Sequence, residues 1–224
     1  MDPMHAEGTV GATQVLAASA EGVVEEGARR IAEGLLVAFP TDTVYGVGCD
    51  LWSPPAIERL YAAKERPWHM PIPVLVASPV DVRQVTAEGT VLPIALMERF
   101  WPGALTVVVP CRPDLPAVLT AGQPTVAVRM PDHPLALRLI AAAGGALAVT
   151  SANLSGRPSP ETAEEVLADL GGRVALLIDG GRAPIGVPSS IVDLSVTPPR
   201  LLREGHLRLA TLREVLPDLR PVSP

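Results

Sequence analysis

Short apolar segments rich in valine, leucine and alanine recur along the chain, and segments with a helical pattern separate most of them. Strands that are apolar at nearly every position are typical of strands covered on both faces, and their alternation with helices indicates an α/β fold. The last strands are close in sequence, which favours some antiparallel pairing. We therefore predict one α/β domain with a twisted, mixed (parallel and antiparallel) open sheet and helices on both faces. The predicted strands cover residues 13–18, 35–39, 73–77, 104–109, 125–130, 146–150, 174–179, 189–195 and 200–203.

The domain organisation follows from what separates these segments. The predicted helices cover residues 20–33, 54–64, 91–100, 134–143, 162–170 and 210–216, with a short helix after Ser78. The 224 residues contain no internal repeat, low-complexity block or clear linker, so we predict one domain over residues 13–216. We expect a disordered leader over residues 1–12 and a frayed, proline-containing tail over residues 217–224.

Composition excludes several classes of protein. The net charge of −6 argues against a broad electrostatic footprint on RNA or DNA, although it allows a local basic cleft. Two cysteines in a chain of this length, without a secretory signal, fit a reducing compartment better than a disulfide scaffold. No run approaches the roughly 18 apolar residues of a membrane span. We therefore predict a cytoplasmic protein with no membrane partner and with weak or no direct binding to tRNA.

The segment over residues 35–67 carries the densest set of polar signals. An apolar strand ends at Pro40, which has no N–H for the ladder, and Thr-Asp-Thr follows on a loop. Ser53, followed by two prolines, predicts the start of a helix that ends near Lys64. We expect this end to place the Lys64 cation at the mouth of a site rather than in the core. Lys64 is the only lysine, which suggests a point charge for phosphate oxygens; a chance survivor or a partner of the helix dipole is an equal alternative.

Polar side chains recur at the ends of the predicted strands, where ligands bind in open α/β sheets. One cleft can gather them all, and their chemistry suggests a ligand with polar and anionic parts, such as a nucleotide. Plainer alternatives are that Asp42 caps a turn, that Ser151 and Asn153 cap the next segment, and that Arg129 pairs with a surface carboxylate. The strand-end residues are Thr41 to Thr43, Arg129, Ser151, Asn153 and Ser190.

Two groups of glycines complete the pattern. Gly46 and Gly48 follow the Thr-Asp-Thr loop and let the backbone pass close to a neighbour. Gly180, Gly181 and Gly186 lie in a flexible segment that is either a mobile lid or only a connection. His69 and His133 do not have metal-ligand spacing with either cysteine, so we assign no protein metal site.

Six motifs follow one another over about residues 13–205. They are Pro40-Thr-Asp-Thr-Val-Tyr-Gly46, Lys64-Glu-Arg66-Pro67, Trp101-Pro-Gly103 with Leu105-Thr106, Val126-Ala-Val-Arg129 with His133-Pro134, Ser151-Ala-Asn153 with Ser155-Gly156, and Ser189-Ser-Ile-Val-Asp193. In this order they resemble the motifs of the YrdC-like family of threonylcarbamoyl-AMP synthases. Each motif alone is a weak signal, whereas six in the family's order are specific. The length of the chain resembles the family's short, single-domain form.

The resemblance implies an L-threonylcarbamoyladenylate synthase, a nucleotidyltransferase. Members of this family join L-threonine, bicarbonate or CO2, and ATP into threonylcarbamoyl-AMP and pyrophosphate. A separate enzyme, the tRNA threonylcarbamoyl-transferase complex, then passes the group to an adenosine beside the anticodon. The partners implied are therefore ATP, L-threonine, bicarbonate and that downstream complex.

The resemblance also implies roles for individual residues. Lys64 and Arg66 would be catalytic, neutralising charge on ATP and departing pyrophosphate, with Mg²⁺ entering as a cofactor together with ATP. Arg129 would hold the carboxylate of threonine in its guanidinium fork. The implied ATP-binding residues are Lys64, Arg66, Thr125, Ser151, Asn153, Ser159 and Arg203, and the implied threonine-binding residues are Thr41, Thr43, Arg129 and Ser190.

The chain departs from the family pattern after Pro67. Many relatives have Asn-Pro-Leu and then a polar residue, where this chain has Met70 and Leu75. Neither can make the expected side-chain hydrogen bonds, so His69 or the backbone is a candidate replacement. Ser189-Ser190-Ile191 also stands where Ser-Thr-Val is usual.

Two other functions remain as alternatives. One is a carbamoyl-adenylate-forming domain related to carbamoyltransferases, which normally lies beside other domains. The other is a non-catalytic RNA-binding module in tRNA or ribosome maturation, which predicts a wide basic surface and a steep dependence of RNA affinity on salt.

Overall fold

The structure, a computed structural model, describes residues 11–222. Its strands are β1 (Gln14–Ala17), β2 (Val37–Phe39), β3 (Gly46–Cys49), β4 (Val74–Val76), β5 (Leu105–Pro110), β6 (Thr125–Arg129), β7 (Ala146–Ser151), β8 (Leu176–Asp179), β9 (Ser190–Asp193) and β10 (Arg200–Arg203). Its helices are α1 (Val23–Ala32), α2 (Pro54–Lys64), α3 (Ile94–Phe100), α4 (Ala117–Thr120), α5 (Pro134–Ala142), α6 (Ala163–Leu170) and α7 (Leu209–Arg213), with a 3-10 helix at Pro79–Gln84.

The described strands form one sheet in the order β1-β8-β2-β3-β7-β4-β6-β5-β9-β10. Four neighbouring pairs are parallel, namely β1–β8, β2–β8, β4–β6 and β5–β9. The remaining pairs are antiparallel, including β9 with β10 near the end of the chain. The predicted mixed open sheet is confirmed.

Side-chain alternation along the strands divides the core into two layers. In β2, Val37 and Phe39 belong to one buried cluster and Ala38 to the other. In β4, Leu75 lies in the first cluster, while its two neighbours lie in the second. Since successive side chains of a strand point to opposite faces, the clusters lie on opposite faces of the sheet. Helices on both faces, as predicted, are confirmed.

The face that carries Phe39 and Leu75 is only half covered by helices. α1 and α5 pack on each other and against β2, β8, β4 and β7. The strands β6, β5 and β9 continue the same face, and their side chains line a cavity there. The sequence thus builds a closed half, which stabilises the domain, and an open half, which is available to a ligand.

β3 is a strand that the sequence did not predict. Its two glycines, Gly46 and Gly48, depress strand propensity, yet both face Val149 of β7. A Cβ at Gly46 would lie 2.9 Å from Val149 Cγ1, and one at Gly48 would lie 2.9 Å from Val149 Cγ2. The expected close backbone approach is therefore real, and Val149 is the neighbour that requires it.

Helix starts were predicted with mixed success. Ser53 caps α2 as expected, because its Oγ accepts a hydrogen bond from the Ala56 N–H at 3.4 Å. The helix predicted to begin at residue 20 begins later. α1 begins at Val23, after Gly22 in the left-handed region at φ 70°, without a side-chain cap. Residues 110–124, where no helix was predicted, contain the single helical turn α4.

The two predicted flexible ends fare differently. Most of the leader over residues 1–12 lies outside the described residues. At the other end, Leu219 is buried, and the Arg220 N–H donates to Pro199 O at 2.8 Å. Arg220 O in turn accepts from the Leu201 N–H at 2.9 Å. The expected frayed tail over residues 217–224 is therefore corrected at Leu219 and Arg220, which pair with the entry to β10.

Between residues 11 and 222, none of the helices has the combined length and apolar character that crossing a membrane requires.

Candidate active site

A cavity of about 440 Å³ opens on the half of the sheet face that α1 and α5 leave uncovered. This volume falls within the roughly 300–1,000 Å³ of small-molecule sites. Of the predicted site residues, Thr41, Thr43, Arg66, Arg129, Ser151, Ser159 and Arg203 line it. Lys64, Thr125, Asn153 and Ser190 are not among the lining residues.

Arg129 holds the base of the cavity together from the end of β6. Its Nη2 donates to Asp42 Oδ1 at 2.5 Å, its Nη1 to Thr43 Oγ1 at 2.8 Å and its Nε to Gly103 O at 2.8 Å. Arg129 is only 6% exposed, and Asp42 only 4%. Burial lowers the pKa of Arg129, and the Asp42 carboxylate opposes that shift. The alternative of a surface ion pair for Arg129 is therefore wrong.

The arrangement leaves Arg129 able to bind a ligand. A guanidinium has five N–H donors, of which these three contacts use three. The remaining donors sit on the two terminal nitrogens, as a planar carboxylate requires. Asp42 therefore orients a buried cation, so the turn-cap alternative for Asp42 is also wrong. The turn is closed instead by Thr41, whose Oγ1 accepts from the Thr43 N–H at 3.3 Å.

Arg66 lies on the cavity lining just after α2. Its Nε donates to Met70 O at 3.1 Å and its Nη2 to Pro71 O at 2.8 Å. Burial lowers the pKa of Arg66. These two contacts fold the following segment back, so that His69 and Met70 line the cavity beside it.

Lys64 does not lie where the sequence predicted. The residue is 1% exposed, and its Nζ donates to Ser151 O at 2.5 Å and to Asn153 O. The last turn of α2 aims the side chain at the end of β7 rather than at the cavity. The expectation of a cation at the mouth of the site is wrong, because two backbone carbonyls of another segment draw the ammonium inside. Burial lowers the pKa of Lys64 to about 7; the charge of Arg66 lowers it further, and that of Asp169 opposes the shift.

The loop over residues 151–157 follows β7 and carries two predicted ligands. Ser151 lines the cavity, while Asn153 is buried within the loop. The Asn153 Nδ2 group donates to Leu154 O and to Arg157 O, both at 2.8 Å. Its Oδ1 has no hydrogen-bond partner in the described structure. The cap alternative is thus partly right for Asn153, whose amide shapes the loop.

The segment before β9 places Ser189, rather than Ser190, on the cavity lining. The Ser190 Oγ donates to Leu207 O at 2.6 Å and accepts from the Gly205 N–H at 2.9 Å. Ser189 Oγ lies 2.8 Å from Thr106 Oγ1, and Arg203 donates twice to Ser189 O, at 2.8 and 3.0 Å. Ser190 thus ties down the 205–207 segment, while Arg203 reaches the cavity.

Thr125 begins β6, at the end of the strand opposite Arg129. Ala127 and Arg129 both line the cavity, and alternation puts Thr125 on their face of the sheet. Thr125 is thus on the correct face, but further along it than the lining residues.

The electrostatic character of the cavity is one-sided. In the part of the chain that the structure describes, its lining includes Arg66, Arg129 and Arg203 and no aspartate or glutamate. Burial lowers the pKa of Arg203, and the positive charge of Arg129 lowers it further. A chain of net charge −6 therefore gathers positive charge in one pocket, which suits a ligand with several anionic groups.

The glycine-containing segment over residues 180–188 is attached to this site. The Ile185 N–H donates to Asp42 O at 3.0 Å, and the Gly186 N–H donates to Thr43 O at 2.8 Å. Tyr45 OH donates to Gly181 O at 2.6 Å. These bonds favour the connection over the mobile lid, because they fix the segment to the Thr-Asp-Thr loop.

Comparison with known proteins identifies the family. The Sua5/YciO/YrdC family model, described as Telomere recombination, matches residues 29–205. The chain belongs to the Sua5/YciO/YrdC family. It is 44% identical over 194 residues to a threonylcarbamoyl-AMP synthase of Bacillus subtilis, covering 86% of this chain and 56% of that protein. It is 37% identical over 179 residues to a threonylcarbamoyl-AMP synthase of Vibrio cholerae, covering 77% and 92%.

A solved structure extends the family comparison to three dimensions. Pyrococcus abyssi Sua5, described as complexed with L-threonine, matches with a TM-score of 0.88 and 40% identity. The match covers 93% of this chain and 62% of that chain. This Sua5/YciO/YrdC chain thus spans little more than half the length of the Bacillus and Pyrococcus relatives.

Sequence reasoning missed two residues at the site of this family member. Ser189 and Thr106 line the cavity and contact each other. β5 and β9 pair in parallel with Thr106 opposite Ile191, so alternation places residues 189 and 191 on the cavity face and Ser190 on the other. The sequence predicted that side chains alternate along these strands, but it did not predict which face of each strand lines the cavity.

Proposed function

We propose that the chain is an L-threonylcarbamoyladenylate synthase. It would form threonylcarbamoyl-AMP and pyrophosphate from L-threonine, bicarbonate or CO2, and ATP. The single observation that carries this proposal is a cavity lined, among the described residues, by three arginines and no acidic residue, because the carboxylate of threonine and the phosphates of ATP are both anionic. The names of the Bacillus and Vibrio relatives, and the threonine complex of the Pyrococcus relative, support the same activity.

Threonine would bind at the Arg129 end. The two terminal N–H donors left on Arg129 fit a carboxylate, and Thr41 and Thr43 supply hydroxyls beside it. Asp42 would keep the guanidinium in this orientation before the substrate arrives. Ser189, with its hydroxyl on the cavity lining, is better placed for threonine than Ser190.

The nucleotide would lie toward Arg66, Arg203 and the 151–157 loop. Arg66 and Arg203 would face phosphate oxygens, and Ser151 and Ser159 would line the nucleoside. Asn153 would act by shaping that loop, and Thr125 would meet only a ligand that extends along β6. Mg²⁺ would enter bound to the ATP phosphates. Among residues 11–222 no group of three or more His, Cys, Asp and Glu side chains is placed to hold it.

The reaction needs alignment more than a protein nucleophile. The amine of threonine, once deprotonated, adds to CO2 and gives a carbamate, whose oxygen attacks the α-phosphorus and expels pyrophosphate. Negative charge grows on the phosphate oxygens, and fixed guanidinium groups stabilise it without reorganising. Holding three reactants in one cavity supplies the remaining gain by proximity.

The proposed product has a defined use. A carbamoyl adenylate is an activated acyl donor, so a transferase must consume it, and we propose the enzyme that modifies the adenosine beside the tRNA anticodon. We propose that the chain acts in the cytoplasm, beside that enzyme. Its positive charge converges inside a cavity, which supports the enzyme over an RNA-binding module with a wide basic surface.

The test is incubation of the protein with Mg²⁺, ATP, L-threonine and labelled bicarbonate, followed by chromatography and a pyrophosphate assay. We expect a labelled adenylate and an equal amount of pyrophosphate, both dependent on threonine. Arg129→Met should raise the KM for threonine far more than the KM for ATP. A protein that forms a labelled carbamoyl adenylate and pyrophosphate when ammonium replaces threonine, but gives no label with threonine, would be the carbamoyltransferase-type domain. Tight RNA binding that falls steeply with salt would favour the module.

A further inference from the structure

Lys64 is the first half of the Lys-x-Arg motif, yet its side chain takes no part in the cavity. Its Nζ donates to Ser151 O at 2.5 Å and to Asn153 O, and its own carbonyl accepts from the Ser155 N–H at 2.9 Å. Both the side chain and the backbone of Lys64 therefore form hydrogen bonds with the 151–157 loop. Arg66, two residues on, lines the cavity instead.

The surroundings of Lys64 show which groups stabilise its buried ammonium. Among the described residues, no carboxylate lies within salt-bridge distance of it. Asp169 acts on it only from further away, and pairs with Arg157 and with the Leu154 N–H. A movement of Lys64 toward a phosphate would strip two buried carbonyls of their donor, which buried carbonyls rarely tolerate.

The conformation of the 151–157 loop depends on hydrogen bonds from residues outside the loop. Asn153 Oδ1 and Ser155 Oγ are buried and have no hydrogen-bond partner in the described structure. Unpaired buried polar atoms raise the free energy of the conformation that holds them. The loop is held from one side by Lys64 and from the other by Asp169, whose Oδ2 accepts from the Leu154 N–H at 3.0 Å.

The choice of lysine is consistent with this role. The chain has 18 lysine and arginine residues, and every one except Lys64 is an arginine. Two carbonyls on one tight loop converge on a point, which a compact ammonium can fill and a wide planar guanidinium cannot. An amine also keeps two N–H donors when it loses its charge, so both bonds survive deprotonation.

We propose that Lys64 is a positioning residue that clamps the Ser151 and Asn153 carbonyls, so that the 151–157 loop is held in the shape that receives the nucleoside. Arg66 is then the only member of the Lys-x-Arg motif that faces the anion. The identification of the ligand as a nucleoside rests on the proposed function. The role of Lys64 in holding the loop does not depend on it. A phosphate-binding lysine and a clamping lysine make opposite predictions for ligands that differ only in their phosphates.

The test compares wild type, Lys64→Met and Arg66→Met in their affinity for adenosine, AMP and Mg²⁺-ATP by calorimetry. A clamp predicts that Lys64→Met weakens all three ligands by the same factor, on the order of tenfold. Arg66→Met is the matched control: it should weaken ATP and AMP and leave adenosine unchanged. If Lys64→Met lowers the ratio of ATP to adenosine affinity, as Arg66→Met does, the clamp is overturned.

Two further measurements separate the clamp from the proposed function. Without ligand, amide hydrogen exchange over residues 151–155 should be faster in Lys64→Met than in wild type; unchanged exchange would overturn the clamp. Faster exchange in a protein whose wild type binds no adenosine ligand would sustain the clamp and reject the proposed function.

If Lys64→Met fails to fold, an NMR measurement on the wild-type protein can still test the proposal. Lysine-selective ¹⁵N labelling gives one side-chain signal, because the chain has a single lysine. Through-hydrogen-bond coupling of this nitrogen to the Ser151 and Asn153 carbonyl carbons should persist when Mg²⁺-ATP is added. Loss of that coupling on adding ATP would overturn the proposal.

Discussion

Two cations are buried at this site, and they are stabilised in different ways. Arg129 is 6% exposed and has a carboxylate partner, Asp42, at 2.5 Å. Lys64 is 1% exposed and, within residues 11–222, donates only to backbone carbonyls. A carboxylate returns most of the free energy that desolvation costs, whereas carbonyl dipoles return less.

The difference determines what each residue can do. Arg129 keeps its charge at every working pH, because guanidinium groups do not lose their proton in proteins. It can therefore offer a fixed positive charge to a ligand. Burial lowers the pKa of Lys64 to about 7, so its charge is not constant near neutrality. A residue of this kind is suited to hold a loop by hydrogen bonds, which do not need the charge.

The largest expected effect concerns the Arg129 side of the comparison. Asp42→Ala should lower the free energy of unfolding by about 3–5 kcal/mol, since it leaves a buried charge without its partner. Urea denaturation measures this loss. The double variant Asp42→Leu/Arg129→Met should recover most of it, because neither charge remains to be desolvated. A loss below about 1 kcal/mol in the single variant would mean that Arg129 is as well satisfied by Gly103 and Thr43 alone.

Much of the frame behind this comparison could be predicted from the sequence. β6 and β7 consist mainly of branched or small apolar residues and end in polar side chains, so the sequence predicted both the strands and their ligand-facing ends. The Ser53-Pro54-Pro55 start of α2 was equally clear. β3 was missed because its glycines have low strand propensity, and only Val149, a hundred residues later, requires them.

The sequence predicted seven residues that line the cavity, but it did not predict how the segments around the cavity are arranged. The sequence places Lys64 at the end of α2, yet it cannot tell that the Ser151 and Asn153 carbonyls will lie at that end. It could not distinguish Ser189 from Ser190 either, since the choice depends on which face of β9 meets the cavity. Both failures concern contacts between distant segments, which local propensity does not encode.

A smaller effect is expected on the Lys64 side, as a dependence on pH. The pKa of Lys64 is about 7 in the folded chain, below its ordinary 10.5, so between these values the unfolded chain binds one more proton. The free energy of unfolding of wild type should thus rise above that of Lys64→Met by about 1.4 kcal/mol per pH unit above pH 7. Below pH 7 the difference should be constant.

Urea denaturation of both proteins between pH 6 and pH 9 measures this difference. The double variant Asp42→Leu/Arg129→Met is the matched control, because it removes a buried cation that does not titrate in that range together with its carboxylate partner. Its difference from wild type should not follow pH in this way. Parallel curves for wild type and Lys64→Met would show that the Lys64 pKa is not depressed, and the contrast between the two cations would lose its basis.

The smallest effect is expected at Asp169, the second tie on the 151–157 loop. Asp169→Asn should cost at most about 1 kcal/mol, because Arg157, its ion-pair partner, is 59% exposed and an amide oxygen can still accept from the Leu154 N–H. Hydrogen exchange at Leu154 should rise slightly.

The double variant with Lys64→Met is more informative than either change alone. If Lys64 and Asp169 hold the same loop, the loss of unfolding free energy in the double variant should differ from the sum of the two single losses by about 0.5 kcal/mol or more. Strict additivity would mean that each residue stabilises its own helix, and that the loop does not couple them.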